Sequence, residues 1–353
     1  YFKRSERFHG GGDAAHGADG ELFVEEQRLN WPILDAVAKA ADELGIPRTE
    51  DFNRGDNEGV GYFPVNQHGG LRWNARKAFL DPAKRRANLR IVTGAEVEQV
   101  LFDGNRARGV SFRLNGRRHH ALAMAETILA AGAIATPKIL ELSGIGRPEV
   151  LSAHGIALRH ELPGVGENLA DHLQIRTVFA IRGAQTLNDL YHNPLSRLKM
   201  AAEYLLRRSG PMSMAPSQLG IFTRSSPEYE TPNIEYDVQP LSLDAFGQPL
   251  HNFPALTVSV CNLRPQSRGS THISGCDPVS APKIRPNYLC HEADRQVAVE
   301  SIRHARRLMA TQALAAFAPE ERLPGTSIRT DDDLRHAAGD ISTTIFHPVS
   351  TAH

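Results

Sequence analysis

The sequence predicts a mixed α/β protein. Three observations carry this: a strand–turn–helix pattern over 126–144, short β segments joined by a tight turn over 97–114, and apolar residues at helical spacing over 32–44 and 298–309. In the first, 126–131 reads as an apolar strand ending at Gly132, followed by a helix with Thr136 as N-cap, Pro137 as its first residue and Gly144 as the stop. In the second, 89–92, 97–102 and 109–114 read as strands, with Asp103-Gly104 joining the last two as a hairpin. In the third, Asn30 caps a helix with Pro32 in its first turn, Leu34, Val37, Ala41 and Leu44 on one face, and Gly45 as the stop. Ala298, Ile302, Ala305 and Met309 repeat the same spacing. Residues 9–20 are too glycine-rich for regular structure and read as an exposed loop, whereas 270–274 alternate as a strand would. Between about 172 and 266, Pro194, Pro211, Pro216, Pro227, Pro232, Pro240, Pro249 and Pro254 break every candidate element, which predicts a loop-rich substrate region.

Composition narrows the function classes. The 353 residues carry 40 Lys+Arg and 40 Asp+Glu, a formal net charge of zero, so no sequence-wide basic field exists to attract nucleic acid. No apolar run approaches the ~18–20 residues that cross a bilayer, and no transmembrane segment is expected. Cys261, Cys276 and Cys290 are well separated and lack C-x-x-C spacing, which predicts a reduced, cytoplasmic setting, with peripheral contact to a membrane left open. Tyr1 stands where a start methionine would, and the chain reads as a fragment of a longer protein.

The turn Ala130-Ala131-Gly132-Ala133 lies between a strand end and a helix start, where free N–H groups can face a phosphate-bearing cofactor; tight helix–strand packing would require the same small residues. Gly164-x-Gly166 is an incomplete dinucleotide pattern, since Leu169 occupies the place of the third glycine. His347 precedes Pro348, whose ring biases it to an extended backbone, and suits a general base; a backbone-bonded structural histidine fits the same pattern. Asp171-His172 reads as a structural hydrogen-bonding pair, because no ligand set for a metal surrounds it. His9, His16, His119 and His120 have no carboxylate partner at ligand spacing and are expected on the surface. Arg303, Arg306 and Arg307 read as a solvated helix face. No G-x-S-x-G elbow is present for serine acyl transfer.

Several stretches together resemble one family, the glucose–methanol–choline flavoprotein oxidoreductases, in its choline-dehydrogenase-like branch. The most specific is Gly132-Ala133-Ile134-Ala135-Thr136-Pro137-Lys138-Ile139-Leu140-Glu141-Leu142-Ser143-Gly144-Ile145-Gly146, which fits the family's second signature throughout. Landmarks in family order include Tyr1-Phe2-Lys3-Arg4-Ser5-Glu6, Pro163-Gly164-Val165-Gly166-Glu167-Asn168-Leu169 with Asp171-His172, and Arg264-Pro265-Gln266-Ser267-Arg268-Gly269. Pro286-Asn287-Tyr288-Leu289 and His347-Pro348-Val349-Ser350-Thr351 complete the set.

The resemblance implies an FAD-binding domain of Rossmann type, here incomplete, with a substrate domain built on an antiparallel sheet flanked by helices. Its implied segments are 1–172 for the FAD-binding part, 173–264 for the substrate region and 265–353 for the C-terminal region. It implies oxidation of a primary alcohol, choline-like or other, to the aldehyde, with hydride passing to the flavin. The electron acceptor would be a quinone or another species. His347 matches the family's base histidine, with Ser350 where the family usually has glycine. Val97, Ala131, Gly132 and Ala133 match positions beside the FAD. No metal is implied. A choline substrate would need an aromatic or acidic cage, for which Phe222, Tyr236 and Phe246 are candidates only by location, and core packing is the better account of them. The family's first β-α-β unit and its second catalytic residue have no counterpart in the chain, so the fragment itself is expected to be inactive while its parent is active. A hydroxynitrile-lyase-like flavoprotein of the same fold and a non-functional truncated product are the alternatives.

Overall fold

The computed structural model describes the chain except Pro216, Phe246 and His353. The chain divides into two compact units, each assembled from three stretches: Tyr1–Leu89, Gln174–Arg264 and Gln296–Thr343 in the first, Arg90–Leu173, Pro265–Arg295 and Thr344–His353 in the second.

The first unit is built on a seven-stranded sheet. In order across it run Glu320–Leu323, Leu173–Ala180, Ala255–Asn262, Ile234–Gln239, Leu219–Thr223 and Gly59–Tyr62, with Ser342–Thr344 also on Leu173–Ala180. Neighbours along the main path are antiparallel. Because side chains alternate, one face gathers Leu219, Ile221, Tyr236, Val238, Val258 and Val260, all buried. The Glu292–Met309 helix covers this face: Tyr236 donates its hydroxyl to the Ser301 carbonyl at 3.0 Å and lies 3.0 Å from His304 Nδ1. Burial pushes His304 down to about 4, so it stays neutral in that core. Ala298, Ile302, Ala305 and Met309 are buried as their spacing predicts. The Pro32–Glu43 helix likewise buries Leu34, Val37 and Ala41, although its N-cap is Trp31 rather than Asn30 and carries no side-chain cap bond.

The middle of the chain is not loop-rich. Several of its prolines sit at the ends of elements: Pro194 opens the Pro194–Arg207 helix, Pro232 and Pro240 bracket the Ile234–Gln239 strand, and Pro254 precedes the Ala255–Asn262 strand. Proline counts therefore misread a region whose ladders run between the breaks. Arg303 and Arg306 are not merely solvated either; they pair with Asp331 and, in bidentate fashion at 2.8 and 2.9 Å, with Glu321.

The second unit holds the three-stranded meander Glu96–Asp103, Arg106–Leu114 and Arg117–Leu122, the Gly132–Leu142 helix and the strand pair Ser270–His272 and Lys283–Arg285. The hairpin turns at Gly104, which has a left-handed φ of 56°. Residues 89–92 and 126–131 were expected as strands and are not. An apolar run becomes a strand only beside a ladder partner, and Ile91, Val92 and Ile128 stand exposed without one.

One surface expectation is overturned. His16 is 1% exposed and bridges two carboxylates, Glu6 at 2.9 Å and Asp51 at 2.8 Å, while stacking on Phe8. Burial alone would lower its pKa, but the bonds to Asp51 and Glu6 outweigh that and raise it. Since the folded imidazole holds its proton more tightly than the unfolded one, its contribution to stability is complete below the unfolded value of about 6.5. That contribution is lost as pH rises through the raised folded value. Melting temperature followed from pH 5.5 to 9 is expected to fall with a slope that His16→Gln reduces.

Candidate functional site

The Gly132–Leu142 helix begins four residues before its expected cap, with Ala131 as N-cap and Pro137 inside. Proline at that position has no N–H to give the carbonyl four residues back, which is Ala133. The Thr351 hydroxyl donates to that carbonyl instead. Thr351 is 2% exposed, and its own carbonyl accepts from Gly166 N at 2.8 Å. Gly166 is held on its other side by Thr271 N donating to its carbonyl at 2.7 Å. A Cβ at Gly166 would come within 2.5 Å of Thr271 O and 2.6 Å of His272 Nδ1. That close approach, with a left-handed φ of 80°, accounts for a glycine at 166.

The same C-terminal stretch carries His347, and one carboxylate sets its place. Asp171 accepts from the Tyr288 hydroxyl and the Thr344 hydroxyl, the latter at 2.6 Å, on Oδ2, and from His347 N at 2.9 Å on Oδ1. Burial, and then the bond to Asp171, push the Tyr288 hydroxyl up to about 12, so it remains a donor at any physiological pH. Ala170 and Val349 form an isolated antiparallel bridge just beyond. His347 itself is exposed, with its Nδ1 3.3 Å from His172 Nδ1 and the ring centroids 5.5 Å apart. Asp171 and His172 each serve a different atom of His347, its backbone N and its Nδ1. Ser350 has φ 73°, a left-handed backbone that explains a glycine at the matching family position.

Ala131 and Gly132 are exposed and Ala133 is half-buried at the N-terminus of that helix. Gly132 has φ 81° with open space where a Cβ would point, and the first turn holds no acidic side chain. Free N–H groups, a positive helix end and no competing carboxylate are what an anionic cofactor requires there. Thr351 ties this end of the helix to the His347 segment. Val97 lies elsewhere, half-buried on Glu96–Asp103, a strand that meets the opposite end of the helix through Gln99 Nε2 donating to Leu142 O at 2.8 Å. Glu98 beside it is 2% exposed and held by Arg113 and Arg118, which lower its pKa. Sequence reasoning missed a second charged cluster: His272 sits between fully buried Glu141 at 2.6 Å and Glu167 at 3.2 Å, and the Glu141 bond raises its pKa. Among the described residues no group of three or more His, Cys, Asp or Glu is placed to hold a metal ion.

Of the aromatic cage candidates, Tyr236 is committed to the helix-covered core and Phe246 lies outside the described residues. Phe222 clusters with Phe52 and Phe63, at centroid distances of 4.8 and 6.4 Å, and stands cross-strand from Glu235. Burial, and secondarily the Asp237 charge, raise Glu235 to about 8.

Comparison with known proteins agrees with this architecture. The N-terminal GMC oxidoreductase family model matches residues 1–174 and the C-terminal one residues 265–353. The chain belongs to the GMC oxidoreductase family, whose members are FAD-dependent flavoproteins. It is 34% identical to an alcohol dehydrogenase [acceptor] of Pseudomonas putida over 95% of this chain and 61% of that one. It is 35% identical to the mitochondrial choline dehydrogenase of Homo sapiens over 99% of this chain and 59% of that one. The crystal structure of pyridoxine 4-oxidase from Mesorbium loti matches with a TM-score of 0.86 at 26% identity, covering 99% of this chain and 65% of that one. The chain therefore spans about 60% of the length of the curated relatives it matches.

Thr351→Val keeps the shape of the buried side chain and leaves the Ala133 carbonyl without its donor. It is expected to cost about 1–3 kcal/mol, read as a shift in the urea midpoint without a change in slope.

Proposed function

We propose that the protein containing this chain oxidises a primary alcohol to the aldehyde with FAD, His347 being the general base. The observation that carries this is the fixing of His347 by Asp171, which accepts from His347 N at 2.9 Å. When bound, FAD supplies the acceptor for the hydride that leaves the carbinol carbon. The exposed N-terminus of the Gly132–Leu142 helix, with Ala131, Gly132 and Ala133, is the part of this chain suited to the cofactor's anionic portion, and the strand bearing Val97 to its adenosine half.

His347 works through its imidazole. Two Nδ1 atoms 3.3 Å apart require that one ring donate and the other accept. With His347 Nδ1–H as donor to His172, His347 Nε2 carries the lone pair that removes the hydroxyl proton. General-base assistance of this kind takes the hydroxyl proton as the carbinol hydride leaves. Asp171 holds the backbone on which the ring stands. The electron acceptor that reoxidises the flavin is a separate species.

The test is the visible spectrum of the whole FAD-loaded protein before and after anaerobic addition of a panel of primary alcohols that includes choline. Bleaching by an alcohol is expected, and His347→Ala is expected to slow it by about 10²–10⁴-fold. A flavin that no alcohol bleaches, or one that the variant reduces at the wild-type rate, contradicts the proposal.

A further inference from the structure

A circuit of hydrogen bonds leaves the Gly132–Leu142 helix near one end and returns to it at the other. Near the C-terminal end, Glu141 is fully buried and grips two consecutive residues: its Oε1 lies 2.6 Å from His272 Nδ1, and its Oε2 accepts from Ile273 N at 2.8 Å. One residue before His272, Thr271 donates its N–H to the Gly166 carbonyl at 2.7 Å, and Gly166 N donates to the Thr351 carbonyl at 2.8 Å. The Thr351 hydroxyl then reaches the Ala133 carbonyl at the start of the helix. Every other link is a backbone group, a hydroxyl or a carboxylate. His272 alone in the circuit has an unperturbed pKa near neutrality.

Both ring nitrogens of His272 face carboxylates. Beyond Glu141, its Nε2 lies 3.2 Å from Glu167 Oε1, which also accepts from Arg147 Nη1 at 2.7 Å. A neutral imidazole has one N–H and one lone pair, so it would turn the lone pair on one of the two carboxylates; only the imidazolium donates to both. Arg147 is shared with Glu149 at 3.6 Å, and Lys283 stands opposite His272 where the Ser270–His272 and Lys283–Arg285 strands pair. The Glu141 bond outweighs burial, and the charges of Glu141 and Glu167 act with it, so the proton is held above the ordinary histidine value. Because the His272 side chain is 18% exposed, its proton exchanges with water, whereas the buried Glu141 carboxylate has no water to turn to.

Resting on the assignment of the helix end at Ala131, Gly132 and Ala133 to the anionic portion of the cofactor, we propose that His272 is a positioning residue for FAD. As the imidazolium between Glu141 and Glu167 it keeps the circuit closed, holds that helix end in place, and so sets how tightly the protein keeps its flavin. The stabilisation is complete below the unfolded value of about 6.5 and is lost as pH rises through the raised folded value. Loss of the proton to solvent leaves a lone pair against a carboxylate, the strand and the helix part, and FAD binds more weakly toward alkaline pH.

The test is the dissociation constant of FAD from the whole protein, read by flavin fluorescence from pH 6.5 to 9.5 without substrate, so that it stands whether or not any alcohol bleaches the flavin. For the wild-type protein the constant is expected to rise by about tenfold or more across that range. His272→Gln is expected to bind FAD at the neutral end as weakly as the wild type does at the alkaline end, with a flat profile. His272→Arg, which keeps a positive charge and donors for both carboxylates, is expected to stay tight throughout. Glu167→Gln leaves the pair with Glu141 intact and is expected to move the midpoint to lower pH. A flat wild-type profile, a His272→Gln protein that follows the wild-type profile, or a midpoint that Glu167→Gln leaves unmoved overturns the proposal. So does a His272→Arg protein that loses FAD with the wild-type pH dependence, which would place the titrating group elsewhere.

Discussion

The carboxylate of Asp171 is the constraint on which the candidate site depends. It gathers three donors from two places far along the chain: Tyr288, 117 residues on, and the 344–347 stretch, through the Thr344 hydroxyl 173 residues on and the backbone of His347. An ionised carboxylate accepts on both oxygens, and charge-assisted bonds of this kind are about twice as strong as neutral ones. Two hydroxyls and an amide therefore fix the chain on both sides of Phe346, whose φ of 63° is left-handed. A backbone bent in that way persists only where its surroundings over-determine it, and the result is a histidine ring held outward with its Nδ1 facing His172.

A second constraint works a few residues later and joins the histidine segment to the helix end suited to a cofactor. Proline inside the Gly132–Leu142 helix removes a backbone donor, and the Thr351 hydroxyl supplies it. The signature motif and the C-terminal His-Pro motif are thus two halves of one hydrogen-bonding arrangement. This explains in physical terms why a threonine closes the latter and a proline sits within the former. The close backbone approach at Gly166 completes it, because any side chain there would collide with the strand that carries His272.

Much of this was legible in the sequence where the signal is local. The Pro32–Glu43 and Glu292–Met309 helices followed from apolar spacing, and the hairpin at Gly104 from its turn residues. Signals that depend on distant partners were not. Residues 126–131 have a strand's composition without a strand's neighbour, and the central sheet strands were hidden by prolines that merely separate them. His16 looked like a surface residue because Glu6 and Asp51 stand 10 and 35 residues away, beyond any spacing rule. Within the site, His347 and the Ala131–Ala133 turn were legible through family motifs, whereas Tyr288 and Thr344 as the partners of Asp171 emerged only from the folded geometry.

The most direct measurement is the rate of anaerobic flavin reduction by a saturating alcohol in the whole protein carrying Asp171→Asn. The amide keeps the size of the side chain but turns one of its two acceptor ends into a donor. If Asp171 positions His347, the maximal rate falls by about tenfold or more, the alcohol concentration at half-maximal rate changes little, and bound flavin is retained. A wild-type rate in a folded, flavin-loaded Asp171→Asn protein would contradict the account.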